Sequence, residues 1–194
     1  MSPPPMSAVH ELRLHTPRLV LRSLHPGDAP TLLAMHGDPQ VMRYWSTPAW
    51  TDIAPAHAMI ATDRDPLNQG RHLRLGLELK ADALLVGTCS LFAINAGCRR
   101  AEVGYVLRAS AWGQGYMHEA LQALLQHGFD TLQLNRIEAD VDPRNAASAK
   151  TLERLGFTKE GHLRERWIVG DEVSDTALYG LLARDFAREW QAAR

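Results

Sequence analysis

The chain has 194 residues, a formal net charge of -1, 45% hydrophobic residues and 22% charged residues, which is the composition of one globular domain. This charge balance gives no overall basic field that would recruit nucleic acid or an anionic membrane. No apolar stretch approaches the ~20 residues that span a bilayer, and the N-terminus lacks the basic and apolar regions of a signal peptide. Two cysteines, Cys89 and Cys98, fit neither a disulfide framework nor a metal-site spacing. We therefore expect a cytoplasmic protein without a metal site, with a flexible tail at residues 1–10 and one domain at residues 11–194.

The first half of the chain is predicted to alternate short strands with helices. A strand at residues 18–24 is followed by a turn in which Asp28 caps a helix at residues 29–35. The next elements are a helical turn from Asp38-Pro39 to about Arg43, an aromatic, proline-broken loop at residues 44–50, a helix at 54–62, a strand at 72–79 with a leucine at every second position, and its hairpin partner at 84–94 with a bulge at Gly87.

The second half contains a strand, a glycine turn, a helix and another strand. Residues 102–107 form the first of these strands, the helix runs to about Phe129, and residues 136–141 form the second strand. A helix then opens at Asn145 and stops at Gly156, a hairpin joins residues 164–169 to 172–182, and a closing helix covers residues 183–191. Because strand–helix–strand units pair in parallel, 102–107 and 136–141 should be parallel and diverge as a wedge. The expected fold class is α/β: a single domain with a mixed, mostly antiparallel sheet, helices on both sides and a parallel βαβ wedge.

The glycine turn, Trp112-Gly113-Gln114-Gly115-Tyr116, carries the clearest chemical signal. Glycines let the backbone turn tightly into the helix, and the unpaired amide groups at the helix start, with the helix dipole, attract an anion such as a diphosphate. The third glycine of a dinucleotide fingerprint is absent, since His118 stands there, and a phosphate loop would need Gly-Lys-Ser/Thr. The motif thus predicts an anion-binding turn at the end of a strand.

This motif, followed by Glu119-Ala120, resembles the acetyl-CoA diphosphate loop of the GNAT superfamily of N-acetyltransferases, and more narrowly its RimJ/RimL-like branch. Trp112 replaces the usual opening Gln/Arg, and Met117 replaces the closing Gly/Ala. The resemblance extends to Thr16-Pro17-Arg18-Leu19, Asp38-Pro39-x-Val41-Met42 and Asn145-x-x-Ser148, and it covers about residues 14–190. It implies a GNAT-type domain that uses acetyl-CoA.

The same resemblance implies which residues hold the cofactor. The backbone of the strand end would position and polarise the thioester, the glycine turn and helix start would bind the diphosphate, and the next helix would contribute an asparagine and a weakly supported lysine. These cofactor-binding candidates are Val106, Leu107, Arg108, Gly113, Gln114, Gly115, Tyr116, Met117, His118, Asn145 and Lys150. Read as local structure alone, Asn145 is a helix cap, and Lys150 and Arg154, four positions apart, lie on a solvated helix face with Glu153.

Acetyl transfer needs an uncharged amine, a stabilised oxyanion and a proton for the departing thiolate. By resemblance, Ser148 donates that proton or orders the water that does, because Leu152 stands where many relatives have a tyrosine. Glu102 is the first candidate base, and a surface ion pair with Arg99 or Arg100 is the competing interpretation. Glu165 and then His118 are further base candidates.

The acceptor side is predicted from aromatic residues and from the cost of deprotonation. Trp45, Trp50 and Glu165 are assigned to the acceptor site, although a tryptophan in such a loop also suits the core. An α-amine of pKa ~7.7 to 8.0 costs about 1 kcal/mol to deprotonate at pH 7, whereas a lysine costs about 4.6. With no obvious strong base, the acceptor leans toward an α-amine.

The leading hypothesis is therefore acetylation of a protein N-terminus, as for ribosomal proteins. Two alternatives stay open: acetylation of a small amine, such as an aminoglycoside, polyamine or amino-acid derivative, and a non-catalytic acyl-CoA-binding regulatory module. No nucleic acid or membrane partner is expected, and the branch is compatible with a homodimer.

Overall fold

The computed structural model describes residues 12–65 and 70–186. The strands within these ranges form one sheet and are β1 Arg13–His15, β2 Leu19–Arg22, β3 Leu73–Leu79, β4 Leu85–Asn95, β5 Arg100–Leu107, β6 Arg136–Val141, β7 Thr158–Val169 and β8 Glu172–Leu182. The helices are α1 Ala29–His36, α2 Pro39–Met42, α3 Ala54–Arg64, α4 Tyr116–Asp130 and α5 Ala146–Arg154. None of these helices is both long and apolar enough to cross a bilayer.

The sheet has the strand order β1-β2-β3-β4-β5-β6-β8-β7, and every neighbouring pair is antiparallel except β5 and β6. The parallel pairing runs only from Arg100 opposite Arg136 to Glu102 opposite Glu138. Beyond these residues β5 continues to Leu107 and β6 continues to Val141, but the two strands no longer pair with each other. The predicted α/β domain and its wedge are confirmed.

Helices pack on both faces of the sheet because apolar residues alternate along its central strands. On one face, α4 and α5 cover a core that includes Leu75, Leu91, Ile137 and Leu124. On the other face, α1 and α3 enclose a smaller core with Leu32 and Ile60, into which Val106 of β5 also points. Successive residues of β5 therefore contact opposite layers.

Several predicted boundaries move. The first strand spans Leu19–Arg22 rather than 18–24, and β1 was not predicted because its three residues show no clear alternation. The β3–β4 register passes from Gly87 to Leu85, so the bulged residue is Val86, next to the glycine. The strand predicted at 164–169 begins at Thr158, since two bulges interrupt its alternation. The predicted tail, residues 1–10, and most of the closing helix, 183–191, lie outside the described residues.

Candidate active site

The glycine turn leads into helix α4 and leaves the backbone N–H groups at the start of the helix unpaired. Gly113 and Gly115 have φ values of 73° and 78°, the left-handed conformation that glycine adopts without steric cost, and Gly115 is the N-cap of the 15-residue helix α4. Among the described residues, the N–H groups from Gly113 to His118 donate to no other group. This row of free donors at a helix N-terminus suits the diphosphate of coenzyme A.

A set of side-chain contacts ties this turn to the beginning of β2. Glu119 accepts hydrogen bonds from Thr16 Oγ1 at 2.6 Å and from the N–H and Nε of Arg18 at 2.8 and 2.6 Å. Arg18 also donates from Nη1 to the carbonyl of Gln114 at 2.8 Å, and its guanidinium lies 4.6 Å from the centre of the Tyr116 ring. Two stretches that the sequence showed as separate motifs thus form one unit that shapes the turn.

Of the three amides predicted at the end of β5, one points away from β4. The N–H of Arg108 donates to the carbonyl of Val86 at 2.9 Å, and in an antiparallel pair alternate residues face the partner strand, so Val106 also faces β4. Leu107 therefore turns its N–H toward the side from which β6 has diverged, while its carbonyl accepts from Trp112 Nε1 at 2.8 Å. Of the three predicted amides, that of Leu107 is available to a thioester carbonyl.

The start of α5 brings Ser148 against β5. Asn145 caps the helix, since its side chain accepts from the N–H of Ser148 at 3.1 Å. Ser148 Oγ lies 2.6 Å from the phenolic oxygen of Tyr105 across the wedge. Burial raises the pKa of Tyr105 to about 12. Leu152 is fully buried in the core, so it takes no part in the site.

One cleft of about 440 Å³ joins the two faces of the sheet through the wedge. Tyr105, Asn145 and Ser148 line it on the α5 side, and Glu102, Asp140 and Trp45 line it on the other side. Gly104 lies between Glu102 and Val106 on β5, and a side chain there would meet Phe92 Cε1 at 3.1 Å. Because Gly104 has no side chain, the cleft stays open between Glu102 and the end of β5.

Glu102 is a half-buried carboxylate without an ion pair in the described parts of the chain. Arg100 pairs with Glu138 instead, and Arg136 bridges Glu138 to Glu160. The alternative interpretation, a surface ion pair of Glu102 with Arg99 or Arg100, is therefore not found among the described residues. Burial raises the pKa of Glu102, and the charge of Glu138 raises it further, so this carboxylate is a better proton acceptor near neutral pH than an exposed one.

Of the three predicted acceptor residues, one lines the cleft and two do not. Trp45 lines the cleft, whereas Trp50 stacks on the buried ring of His36 with 4.2 Å between ring centres and does not reach the cleft. Glu165 lies at a bulge with a φ of 53° and outside the cleft lining. Trp167, two residues later, is the residue of β7 that lines the cleft.

The side chains of the remaining cofactor candidates differ in exposure. Met117 fills the core with its side chain and is 8% exposed. His118 is partly buried, and burial together with the charge of Arg154 lowers its pKa, which favours a neutral ring. Lys150 is exposed on α5 and forms no ion pair within the described residues.

Sequence reasoning missed Tyr105, Trp167 and His36 as lining residues. Tyr105 could have been found from its place on the wedge strand, because residues 103, 105 and 107 share one orientation. No sequence signal identified His36 or Trp167, which reach the cleft through the packing of α1 and through a bulge.

Comparison with known proteins is consistent with this geometry. The profile of a family described as "Acetyltransferase (GNAT) domain" matches residues 18–158. An uncharacterized N-acetyltransferase, p20, of Bacillus licheniformis is 38% identical over 90% of this chain and 98% of its own. The [ribosomal protein uS5]-alanine N-acetyltransferase of Escherichia coli is 28% identical over 93% of this chain and 95% of its own. A spermidine N-acetyltransferase of Vibrio cholerae, solved with CoA and spermine, shares the fold with a TM-score of 0.78 at 22% identity, covering 87% of this chain and 98% of its own.

Proposed function

Because this chain belongs to the GNAT family of acetyl-CoA-dependent N-acetyltransferases, we propose that its acceptor is the α-amino group of a protein N-terminus. The observation that carries this proposal is Glu102, a half-buried carboxylate of the cleft that has neither an ion pair nor a hydrogen bond among the described residues. The uS5-alanine acetyltransferase of Escherichia coli, similar along nearly the whole chain, supports the same acceptor class.

The other charged groups of the cleft already have partners. Asp140 accepts a hydrogen bond from Thr176, Asp142 pairs with Arg144 at 2.6 Å, and Arg74 pairs with Asp63 at 2.8 Å. A polyamine brings several positive charges and needs several free carboxylates, whereas an α-amine brings one. Asp140 keeps its charge because Thr176 is neutral, but Glu102 is the cleft carboxylate with neither a cation nor a hydrogen-bond donor among the described residues, and one such carboxylate suits one amine.

The protonation cost also favours an α-amine. Deprotonating an α-amine at pH 7 costs about 1 kcal/mol, compared with about 4.6 for a lysine side chain. Glu102, with its raised pKa, is a base of moderate strength that suits the smaller cost. We assign it the removal of the amine proton, directly or through one water.

The residues around the wedge fit acetyl-CoA, which supplies the activated acetyl group. The free N–H groups from Gly113 to His118 would hold its diphosphate, and Lys150, exposed on α5, is a further candidate. The N–H of Leu107 would polarise the carbonyl, as an oxyanion hole does, and Asn145 would fix the α5 turn. Ser148 would give its hydroxyl proton to the departing sulfur.

Thiol release from acetyl-CoA with a matched set of amines tests the acceptor. The set contains an N-terminal peptide with a free α-amine, the same peptide blocked at its N-terminus but carrying a lysine, and spermidine. We expect release with the first peptide only. Release with spermidine alone would replace the proposal with small-amine acetylation, and tight acetyl-CoA binding without release from a broad amine panel would favour the regulatory alternative.

The Glu102→Gln variant tests the base on the active acceptor. It should lower kcat/KM for the peptide at least ~10-fold while acetyl-CoA affinity, measured by calorimetry, stays unchanged. Glu160→Gln, which removes an exposed carboxylate outside the cleft, is the matched control. Equal rates for both variants and the wild type would reject Glu102 as the base.

We place this reaction in the cytoplasm, which the free thiols of Cys89 and Cys98 support. A homodimer stays a prediction. The exposed apolar residues Leu163, Ile168 and Val173 of the β7–β8 hairpin give a reason to test it by light scattering.

A further inference from the structure

We propose that Tyr105 is a positioning residue that turns the hydroxyl of Ser148 so that its proton points into the wedge. This inference rests on the proposed role of Ser148 as the proton donor to the departing sulfur. It adds a residue from β5 to a function that the sequence placed on α5 alone.

The geometry brings the two hydroxyl groups together from distant parts of the chain. Tyr105 Oη and Ser148 Oγ are 2.6 Å apart, a short separation for a hydrogen bond between hydroxyls, although the residues are 43 positions apart. The backbone of Ser148 is held separately, because its N–H donates to Asn145 Oδ1 at 3.1 Å. Ser148 Oγ has no other side-chain partner in the described parts of the chain.

Each hydroxyl has one proton, so the pair can be arranged in two ways. If Ser148 donates to Tyr105, its proton is occupied and cannot reach the sulfur. If Tyr105 donates to Ser148, the serine proton is free to point elsewhere. The second arrangement is the one that a proton donor requires.

The surroundings of Tyr105 favour the arrangement in which it donates. Its competing acceptor, the carbonyl of Ser148, is 3.4 Å away and makes a poorer hydrogen bond than the hydroxyl at 2.6 Å. Because burial raises its pKa to about 12, the phenol keeps its proton throughout the physiological range. It can therefore act as a permanent donor to Ser148.

Donation from Tyr105 also eases the proton transfer itself. As the O–H bond of Ser148 breaks and an S–H bond forms, negative charge develops on Ser148 Oγ. A hydrogen bond from Tyr105 stabilises this charge and is stronger than a bond to the neutral hydroxyl. Tyr105 stays hydrogen-bonded to Ser148 Oγ, and the protons balance because the serine regains one through water from Glu102, which has taken one from the amine.

The test compares Tyr105→Phe, which removes only the hydroxyl, with Ser148→Ala and the double variant. We expect Tyr105→Phe to lower kcat about 10-fold with an unchanged KM for acetyl-CoA, and to have no further effect in the Ser148→Ala background. Tyr179→Phe is the matched control, because Tyr179 is a buried tyrosine of β8 outside the cleft lining. Melting temperatures of all variants show whether the fold persists.

Each other outcome overturns a defined part of this account. A wild-type kcat for Tyr105→Phe, with Ser148→Ala impaired, would reject the positioning role and leave the proposed function intact. Equal losses from Tyr105→Phe in both backgrounds would mean that Tyr105 acts independently of Ser148. A wild-type rate for Ser148→Ala would remove the proton-donor role and this inference with it, while the peptide assay would still report the acceptor.

Discussion

Acidification should destabilise this protein through two histidines, the buried His36 and the half-buried His72. His36 is 3% exposed, stacks on Trp50 and has an Nε2 atom without a partner among the described residues. Burial, with the charge of Arg74, lowers its pKa from 6.5 to about 4, and the same causes act on His72. Both rings are therefore neutral in the folded protein at pH 7.

The magnitude follows from the difference in proton binding between the two states. Because the folded pKa lies below the unfolded one, the unfolded chain binds more protons, and stability present above pH 6.5 is lost as the pH falls toward 4. Between pH 7 and pH 5, one histidine with these two pKa values loses about 2 kcal/mol of unfolding free energy, and the pair loses about 4.

Urea unfolding at pH 7 and pH 5 measures this loss, and a variant isolates one histidine. His36→Phe keeps a flat ring against Trp50 and removes the titrating group, so its loss between the two pH values should be smaller than that of the wild type by about 2 kcal/mol. His57→Phe is the control, because His57 is exposed on α3. If His36→Phe and the wild type lose equal stability on acidification, His36 is not held neutral by burial.

Three further substitutions test the cofactor turn and the passage through the sheet. Gly115→Ala puts a side chain at a φ of 78°, so it should lower the free energy of unfolding by about 1 to 2 kcal/mol. It should also weaken acetyl-CoA binding, as measured by calorimetry. An unchanged affinity would mean that the turn binds the cofactor in another backbone conformation. Glu119→Gln removes the charge that holds Arg18, so it should weaken acetyl-CoA binding several-fold and leave the acceptor KM unchanged in steady-state kinetics. A change in the acceptor KM alone would contradict this prediction. Gly104→Ala brings a methyl group to 3.1 Å from Phe92, so it should raise the acceptor KM and leave the acetyl-CoA affinity unchanged. An unchanged acceptor KM would show that the amine does not pass Gly104.

Local patterns predicted the elements that show regular alternation, a glycine stop or a short connection. The span of β8, Glu172–Leu182, and that of β6, Arg136–Val141, follow the sequence reading, and Gly156 ends α5 with a φ of 87°. The parallel pairing of β5 with β6 followed from the strand–helix–strand order. These features depend on alternation, turn residues and chain connectivity, all of which a sequence displays.

Contacts between distant segments and shifts of strand register could not be predicted from local sequence patterns. The pairing of Tyr105 with Ser148 depends on how β5 and α5 face each other across the wedge. At β7, the irregular stretch between Leu163 and Trp167 places Glu165 outside the cleft lining and Trp167 within it, a difference that strict alternation does not predict because the two residues are two positions apart. Here β7 advances four residues while β8 advances two, and such an insertion of two residues in a ladder leaves no composition signal.

The link between Arg18 and Glu119 has a consequence for how the protein folds. It joins residues 101 positions apart, and with Thr16 it shapes a turn whose glycines alone leave many conformations open. The chain must therefore close a loop of roughly half its length before the helix start acquires its native form, and such long-range closure is slow compared with forming the helix itself. Acetyl-CoA binding should consequently appear late in refolding, after the far edge of the sheet has joined the centre.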